Sequence, residues 1–254
     1  MKGIGMKMFS GYSVVAAMLA TATLAGCPVP KDLHTQVLES PNSIDGKQLY
    51  FVPSDTEKRA GDQFYSRVIT QTELAELPVD PATHTVLNFS AENTVEAVNL
   101  GDGGVFYYGE YYDTLFIGSN GTIGFGAPGV GNSTLAEHFA GPQISLLPVD
   151  ATILDGTVTV GNFSDSVVVT FNNISIGETA DNAFQAEFFK TRGIDGDIAL
   201  SYPQVATTAE GIVGLSNGQL AGASEEEIAS FLAGFSNSNL NEDSSNTASA
   251  KLGS

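Results

Sequence analysis

A succession of short apolar runs, each bounded by turn residues, restricts this chain to a β-sheet fold more than any other feature of its sequence. About ten to twelve such runs, rich in β-branched and aromatic residues, follow one another at intervals of about 8–15 residues. Helical periodicity is almost absent between them. This spacing is typical of an all-β sandwich or barrel, and we predict an antiparallel β-sandwich with one short C-terminal helix. Besides the hairpins described next, the candidate strands are residues 48–53, 63–70, 84–89, 94–100, 143–150, 166–171, 183–190, 197–202 and 211–216.

Residues 105–126 contain the clearest hairpin signal. Apolar and small residues alternate on both sides of Ser119-Asn120-Gly121-Thr122, and Asn-Gly favours a tight turn because both residues tolerate positive φ. The sequence therefore predicts two antiparallel strands here, with an aromatic-rich run entering from the N-terminal side. A second hairpin is predicted between residues 151–154 and 157–160, because the intervening Asp-Gly is also a turn signal.

Helix signals are confined to two short segments. Ser224 and Glu227 have the spacing of a capping box and precede apolar residues at helical spacing, which predicts a helix over residues 224–235. Residues 134–139 are a candidate for a shorter helix. The tail, residues 236–254, has low complexity and is predicted to be disordered.

Three segments of the predicted sheets have signals of their own. The β-branched run at residues 166–171 is bounded by turn residues and predicts a buried strand. Pro148 interrupts the run at 143–150, which indicates an edge strand or a kinked strand. Residues 72–77 are long enough for one helical turn before the prolines that follow.

The N-terminus has the organisation of a secretory signal. Lys2 and Lys7 provide a positive region, and residues 12–24 provide an apolar region that is too short for a confident membrane span of about 20 residues. The protein's single cysteine, Cys27, comes directly after this region. An intramolecular disulfide is therefore excluded.

The run Leu24-Ala25-Gly26-Cys27 resembles a bacterial lipobox. The resemblance implies cleavage after residue 26 and attachment of diacylglycerol to the Cys27 sulfur, with palmitate among the expected acyl chains. Two or three acyl chains anchor a protein stably without a membrane-spanning helix. The alternative is an ordinary signal peptide whose removal leaves a free thiol. Residues 27–47 are polar and proline-rich, and we predict a flexible tether there ahead of a domain at 48–220 and a helix at 221–235.

The charge balance excludes some partners. The chain has 10 Lys and Arg against 29 Asp and Glu, a net charge of −19, which becomes −21 when Lys2 and Lys7 leave with the signal. Such a surface disfavours binding to nucleic acid and electrostatic adhesion to anionic lipid. It is typical of an acidic secreted protein, and it also suits attraction of divalent cations.

Several blocks follow one another along the chain: residues 107–111, 114–126, 143–150, 167–174, 182–188, 196–202 and 211–218. In the same order, they resemble blocks of the nidogen-type (NIDO) extracellular domain. The resemblance implies a β-rich extracellular module of adhesion or matrix-like assembly, with no catalytic residues to transfer. Phe171 stands where the family commonly has Trp, and the cysteine-rich modules that accompany the domain in animal matrix proteins are absent from the sequence.

Paired acidic residues suggest a weak calcium site. Glu110 with Asp113, and Asp195 with Asp197, could each supply oxygen ligands from a loop, although Ca²⁺ requires six to eight ligands. The alternative is two turns with exposed carboxylates. The same carboxylates could also form a glycosidase pair, whose separation the sequence does not specify.

The histidines carry no catalytic or metal signal. His34, His84 and His138 are widely separated and lack the spacing of a zinc site. No serine is predicted beside His138, and no nucleophile elbow is present. No catalytic residue is therefore predicted.

Four tyrosines crowd the run that precedes the hairpin. Tyr107, Tyr108, Tyr111 and Tyr112 cannot all enter a core if they alternate along strands. They are candidates for an exposed patch that stacks on sugars or anchors a protein partner. The alternative is that the run is shared between core and loop packing.

Together these patterns indicate a lipid-anchored protein of the bacterial cell envelope, at the cell surface or in the periplasm. We predict a non-catalytic adhesion or assembly domain that has a protein or glycan partner, no nucleic-acid partner and no cofactor except calcium. The alternatives are a carbohydrate-binding or glycoside-hydrolysing surface lipoprotein and a purely structural envelope component.

Overall fold

The computed structural model describes most of the chain between residues 34 and 236. Cys27, the signal segment, Asp195 and the tail at 237–254 lie outside the described residues. The described ranges are 34–38, 44–53, 65–71, 73–91, 93–129, 134–146, 151–152, 156–176, 179–190, 196–207, 211–218 and 220–236.

The described residues form antiparallel β-strands and a few short helices, as the strand spacing in the sequence predicted. The helices are a 3₁₀ turn at Pro81–Thr83, α1 at Leu135–His138 and α2 at Glu225–Ser236. The strands are β1 His34–Leu38, β2 Lys47–Pro53, β3 Tyr65–Gln71, β4 Thr85–Leu87, β5 Val95–Asn99, β6 Val105–Tyr107, β7 Glu110–Tyr112, β8 Thr114–Gly118, β9 Thr122–Phe125, β10 Pro142–Leu146, β11 Ala151–Thr152, β12 Thr157–Asn162, β13 Ser166–Ile176, β14 Thr179–Phe189, β15 Ile198–Gln204 and β16 Gly211–Asn217.

Two large sheets enclose one hydrophobic core. The smaller sheet has the strand order β1-β16-β10-β9-β8-β5, and the larger has the order β3-β2-β15-β14-β13-β12-β4, with β11 also paired to β13. Side chains of both sheets meet between them: the ring of Phe125 from β9 lies edge-on to Phe188 from β14, with centroids 5.8 Å apart. The predicted antiparallel sandwich with a short C-terminal helix is therefore confirmed.

β13 is buried on both of its faces, as predicted for residues 166–171. Val167, Val169 and Phe171 belong to the core between the sheets. On the outer face, Thr170 is fully buried beneath Gln185, whose amide donates to the Thr170 hydroxyl at 2.8 Å. The Gln185 side chain also exchanges two hydrogen bonds with the backbone of Val79, at 3.1 and 2.9 Å. The outer face of the larger sheet is thus covered by the segment around residue 79.

The β8–β9 hairpin forms as the Asn-Gly signal predicted. Ile117 pairs with Ile123 across residues 119–121, and both isoleucines are fully buried. Gly121 has a positive φ of 86°, whereas Asn120 is absent from the positive-φ residues of the described chain. The turn therefore places a single glycine in the left-handed region, as three-residue hairpin loops do.

Four local predictions are wrong. His34–Leu38, inside the predicted tether, is strand β1 and pairs with β16. β10 lies between β9 and β16 in the sheet interior, so the edge-strand alternative is wrong, whereas Pro148, where a kink was the other alternative, lies outside the described residues. β11 pairs with β13 instead of forming a hairpin with β12. Residues 73–77 form no helical turn, and Glu73 has a positive φ of 72°.

Both predicted helices form, each with a capping box. Ser224 donates its N–H to a Glu227 carboxylate oxygen at 2.8 Å, and the Glu227 N–H donates to the Ser224 hydroxyl at 3.3 Å. Thr134 and Glu137 make the same reciprocal pair at α1. Ile228 of α2 is fully buried in a small cluster with Leu135 of α1, Phe139 directly after α1 and Ile212 of β16. None of the helices in the described part of the chain has the length and hydropathy to cross a membrane.

Candidate functional site

The tyrosine run forms a separate two-stranded hairpin, β6–β7, whose two halves have opposite environments. Tyr107 and Tyr108 are 1% and 7% exposed, whereas Tyr111 is 50% exposed and Tyr112 is half-buried. Tyr107 and Tyr108 are core residues and do not belong to the candidate patch, so the run is shared between the core and the surface, as in the alternative interpretation. Tyr111 is the member of the run that presents a large surface to solvent.

The buried half of the hairpin is fixed by its hydroxyl group and its rings. The Tyr107 ring stacks on Phe125, with centroids 3.9 Å apart and planes 10° apart. Its hydroxyl lies 2.8 and 2.9 Å from the carbonyl oxygens of Gln143 and Ser216, and it accepts from the Ser216 N–H at 3.1 Å. Tyr107 thus satisfies backbone groups of β10 and β16 where these two strands pair.

The turn of the hairpin sends the next tyrosine inward as well. Tyr108 and Gly109 both have positive φ, 48° and 79°, which breaks the alternation of side chains along the strand. The Tyr108 ring consequently lies edge-on to both Tyr107 and Tyr65, at 4.8 and 5.0 Å. Positive φ is rare for a bulky residue, so the surrounding ring packing has to maintain it.

The exposed half of the hairpin borders a pocket. The Tyr111 hydroxyl accepts from the Gly104 N–H at 3.0 Å and donates to the Asp102 carbonyl at 3.3 Å, so that it fixes the loop between β5 and β6. Its ring is edge-on to Phe106, at 5.4 Å. This loop forms one wall of the pocket.

The pocket has a volume of about 460 Å³, within the usual range of about 300–1,000 Å³ for small-molecule sites. Its walls come from three places in the sequence: the β5–β6 loop with the start of β6, the turn between β12 and β13, and the residue after β14. The side chains that matter for the argument below are Asp102, Phe106, Asn162, Phe163, Ser164 and Lys190.

Lys190 is the cation of this pocket. Its ammonium group donates to the Asn162 side-chain oxygen at 2.7 Å and to the Phe163 carbonyl at 2.6 Å. Asn162 in turn donates its amide to the Leu100 carbonyl at 2.9 Å, which ties the two walls together. Burial lowers the pKa of Lys190, and the nearby Asp165 carboxylate opposes this effect. The ammonium is thus held in a fixed position at the pocket.

Phe163 supplies an apolar surface beside this cation. Its side chain is 37% exposed, and its other side packs against His84 with ring centroids 5.4 Å apart. Burial lowers the pKa of His84, although the Asp80 carboxylate opposes that shift. Phe163 and Tyr111 are two of three large hydrophobic side chains that are exposed in the described residues, and both adjoin this pocket.

The three described acidic residues of the calcium hypothesis each accept a hydrogen bond from a different side chain. Glu110 accepts from the Tyr112 hydroxyl at 2.9 Å, and Asp113 accepts from the adjacent Thr114 hydroxyl. Asp197 is buried and accepts from the Tyr50 hydroxyl at 2.9 Å. Asp195 lies outside the described residues. Within the described ranges, no three His, Cys, Asp or Glu side chains form a group that could hold a metal ion.

His138 has a serine neighbour that the sequence did not indicate. Its Nδ1 lies 2.5 Å from the Ser145 hydroxyl, and both side chains are completely buried. Burial lowers the pKa of His138 to about 3, so the imidazole is neutral at physiological pH. The pair joins α1 to β10 and has no access to a substrate, which makes it a structural contact.

A second, smaller pocket lies on the outer face of the larger sheet. It has a volume of about 350 Å³ and includes Gln48, Tyr50, Asp165 and Glu187. It lacks exposed aromatic side chains of the kind that border the first pocket: the Tyr50 ring packs against Phe189 at 5.7 Å. Of the two pockets, the one at Lys190 is therefore the better candidate binding site.

The sequence analysis missed most of the residues of this site. Asp102, the adjacent pair Asn162 and Phe163, and Lys190 come from three separate parts of the chain with no motif in common, and only Tyr111 was identified. The turn residues that flank β12 and β13 were visible in the sequence, but their position beside residue 190 follows from strand pairing.

Comparisons with known proteins give no relative of this chain. No family model, no curated protein and no solved structure matches it. The resemblance to the nidogen-type domain thus rests on the sequence blocks alone.

Proposed function

We propose that this chain is a lipid-anchored bacterial envelope protein whose β-sandwich is a non-catalytic domain for adhesion or assembly. The anchor is supported by the lipobox-like residues at Leu24–Cys27 and by the apolar segment before them. The tether begins at Cys27, and β1 at His34–Leu38 fixes the chain to the smaller sheet well before residue 47. The free length between lipid and domain is therefore short, and the domain is held near the membrane surface.

The observation that carries the binding role is the concentration of exposed aromatic surface at one pocket. Phe163, 37% exposed, lines the pocket together with the fixed Lys190 and with Asp102, and Tyr111, 50% exposed, is joined to the pocket loop by its hydrogen bond with the Gly104 N–H. Aromatic side chains with one polar neighbour are enriched where proteins bind partners.

A binding role is favoured over glycoside hydrolysis by the acidic residues available. Hydrolysis of a glycosidic bond ordinarily needs two carboxylates on either side of the bond. Among the described residues that line the pocket, Asp102 is the one carboxylate. We therefore propose binding without catalysis at this site.

Adhesion is tested on whole cells that carry the full chain. We expect cells with the wild-type chain to adhere to envelope or matrix material of the producing bacterium, and cells with Phe163→Ser to adhere markedly less. Val86→Ser is the matched control, since Val86 is 51% exposed and does not line the pocket. Equal adhesion of cells with and without the chain would contradict the proposal and favour a purely structural component.

The anchor is tested separately by Cys27→Ala. Loss of the sulfur removes the site of acylation, so we expect the variant in the soluble fraction and without label after growth with radioactive palmitate. Because the transfer of two or three acyl chains supplies the membrane affinity, no partial retention is expected. Membrane retention and labelling of the variant would contradict lipidation at Cys27.

A further inference from the structure

We propose that the pocket at Lys190 binds a neutral pyranose sugar, an inference that rests on the proposed binding role and specifies its ligand. The pocket combines exposed aromatic rings with polar side chains. Phe163 lines the pocket with an exposed ring, and Tyr111 adjoins it through the hydrogen bond with Gly104. A sugar ring has one face of C–H groups that packs on such rings, while its hydroxyls point to the sides.

Side chains that donate hydrogen bonds and side chains that accept them both line the pocket. Lys190 uses two of its three N–H groups on Asn162 and Phe163, and its third proton has no acceptor in the described part of the chain. The Asp102 side chain supplies acceptors only, and the Ser164 hydroxyl can do both. A phosphate or carboxylate ligand would meet the Asp102 carboxylate, and a cation would meet the Lys190 ammonium. Hydroxyl groups satisfy both kinds of partner, because each donates once and accepts twice.

The pocket is formed before any ligand arrives. A Cβ atom at Gly103 would lie 2.9 Å from the Lys190 ammonium, and one at Gly104 would lie 2.6 Å from the Tyr111 ring. The two glycines therefore leave the space that the lysine and the tyrosine occupy. Asn162 hydrogen-bonds with this loop at Leu100 and Tyr111 does so at Gly104, so that little ordering remains to oppose binding.

The charge of the protein favours a neutral ligand. The chain has a net charge of −19, so its overall field repels polyanionic glycans such as uronic-acid polymers. One partly buried lysine that has Asp165 near it, in a pocket whose lining also includes Asp102, does not reverse this field. Neutral glycans approach without that penalty.

Binding is tested with the fluorescently labelled full chain in detergent on an array of neutral and acidic oligosaccharides, followed by titration calorimetry on the best neutral glycan. We expect binding to neutral glycans. Loss of a hydrogen bond from a charged group costs about a factor of ten or more, so Asp102→Asn and Lys190→Met should each weaken binding at least about tenfold. Phe163→Ser should have an effect of similar size, because it removes the stacking surface.

The matched controls are Asp113→Asn and Val86→Ser, which alter an exposed carboxylate and an exposed apolar side chain outside the pocket lining. Both should bind with wild-type affinity, and thermal unfolding of every variant checks its fold. Three results would overturn the inference: no neutral glycan bound at millimolar concentration, binding to acidic glycans only, or full affinity in folded Phe163→Ser and Asp102→Asn. Adhesion that persists without glycan binding would overturn the sugar ligand and leave the proposed function standing.

Discussion

The β6–β7 hairpin places two tyrosines in the core and one on the surface, although all of them lie within six consecutive residues. The Tyr107 hydroxyl hydrogen-bonds with backbone groups of β10 and β16, and its ring stacks on Phe125. The Tyr111 hydroxyl instead hydrogen-bonds with a surface loop, and half of its side chain is exposed to solvent. The same residue type thus holds the sandwich together at one end of the hairpin and borders a pocket at the other. The difference arises from what each hydroxyl can reach.

The largest effect we expect is the difference in the free energy of unfolding between two alanine variants of this hairpin. Tyr107→Ala should lower the free energy of unfolding by about 3–5 kcal/mol, because it removes a fully buried aromatic ring and leaves backbone groups of β10 and β16 without a partner. Tyr111→Ala should cost about 1 kcal/mol or less, since its ring is half exposed. Urea unfolding of both variants measures the two values. Equal losses would contradict the division of the hairpin.

Acid should lower the free energy of unfolding through His138, a buried residue whose Nδ1 hydrogen-bonds with the Ser145 hydroxyl on β10. The pKa of His138 is lowered from 6.5 to about 3 in the folded state, so the unfolded chain binds its proton more readily. Its contribution to stability is therefore complete above pH 6.5 and is lost progressively as the pH falls towards about 3, by on the order of 1 kcal/mol per pH unit.

The measurement is the free energy of unfolding between pH 7.5 and 4 for the wild type and for His138→Gln. Carboxylates titrate in both proteins, and the difference between the two curves isolates the imidazole. We expect the variant to have a flatter profile below pH 6.5. Parallel curves would show that His138 does not differ in pKa between the folded and unfolded chains.

The smallest effect concerns the hydroxyl at the surface. Tyr111→Phe leaves the ring in place and removes the acceptor of the Gly104 N–H, which water can replace because the site is part-buried. We expect a loss of about 1 kcal/mol or less in the free energy of unfolding, together with a measurable weakening of sugar binding as the β5–β6 loop becomes less ordered. Calorimetry and urea unfolding on one sample check both. A larger stability loss than in Tyr111→Ala would refute this reading of the hydroxyl.

Local patterns in the sequence predicted the elements whose determinants are local. The capping box of Ser224 and Glu227 requires only three residues of separation, and the β8–β9 turn requires only a glycine at the right place, so both formed as predicted. The β-branched run at residues 166–171 correctly indicated a buried strand, since all six of these residues of β13 are buried. Fold class followed from the sum of these signals.

The position of each tyrosine and the composition of the pocket depend on tertiary pairing. Positive φ at Tyr108 overrides the alternation expected of a strand, and Gly109 after it signals a turn without indicating where the Tyr108 ring packs. Pocket residues 163 and 190 come together because β12 pairs with β13 and β13 pairs with β14, and the loop with residue 102 is joined to them by the hydrogen bond from Asn162 to the Leu100 carbonyl. β1 was missed because its apolar content is low and its partner, β16, lies more than 170 residues further along the chain.

Nitration of the folded chain by tetranitromethane, with peptide mapping by mass spectrometry, tests the division of the hairpin most directly. The reagent attacks exposed phenolate, so Tyr111 should react first. Tyr112 should follow slowly, because burial and the hydrogen bond with Glu110 raise the pKa of its phenol. Tyr107 and Tyr108 should react only after unfolding, and a bound neutral glycan should slow the reaction at Tyr111. Nitration of Tyr107 or Tyr108 in the folded protein at the rate of Tyr111 would contradict the account.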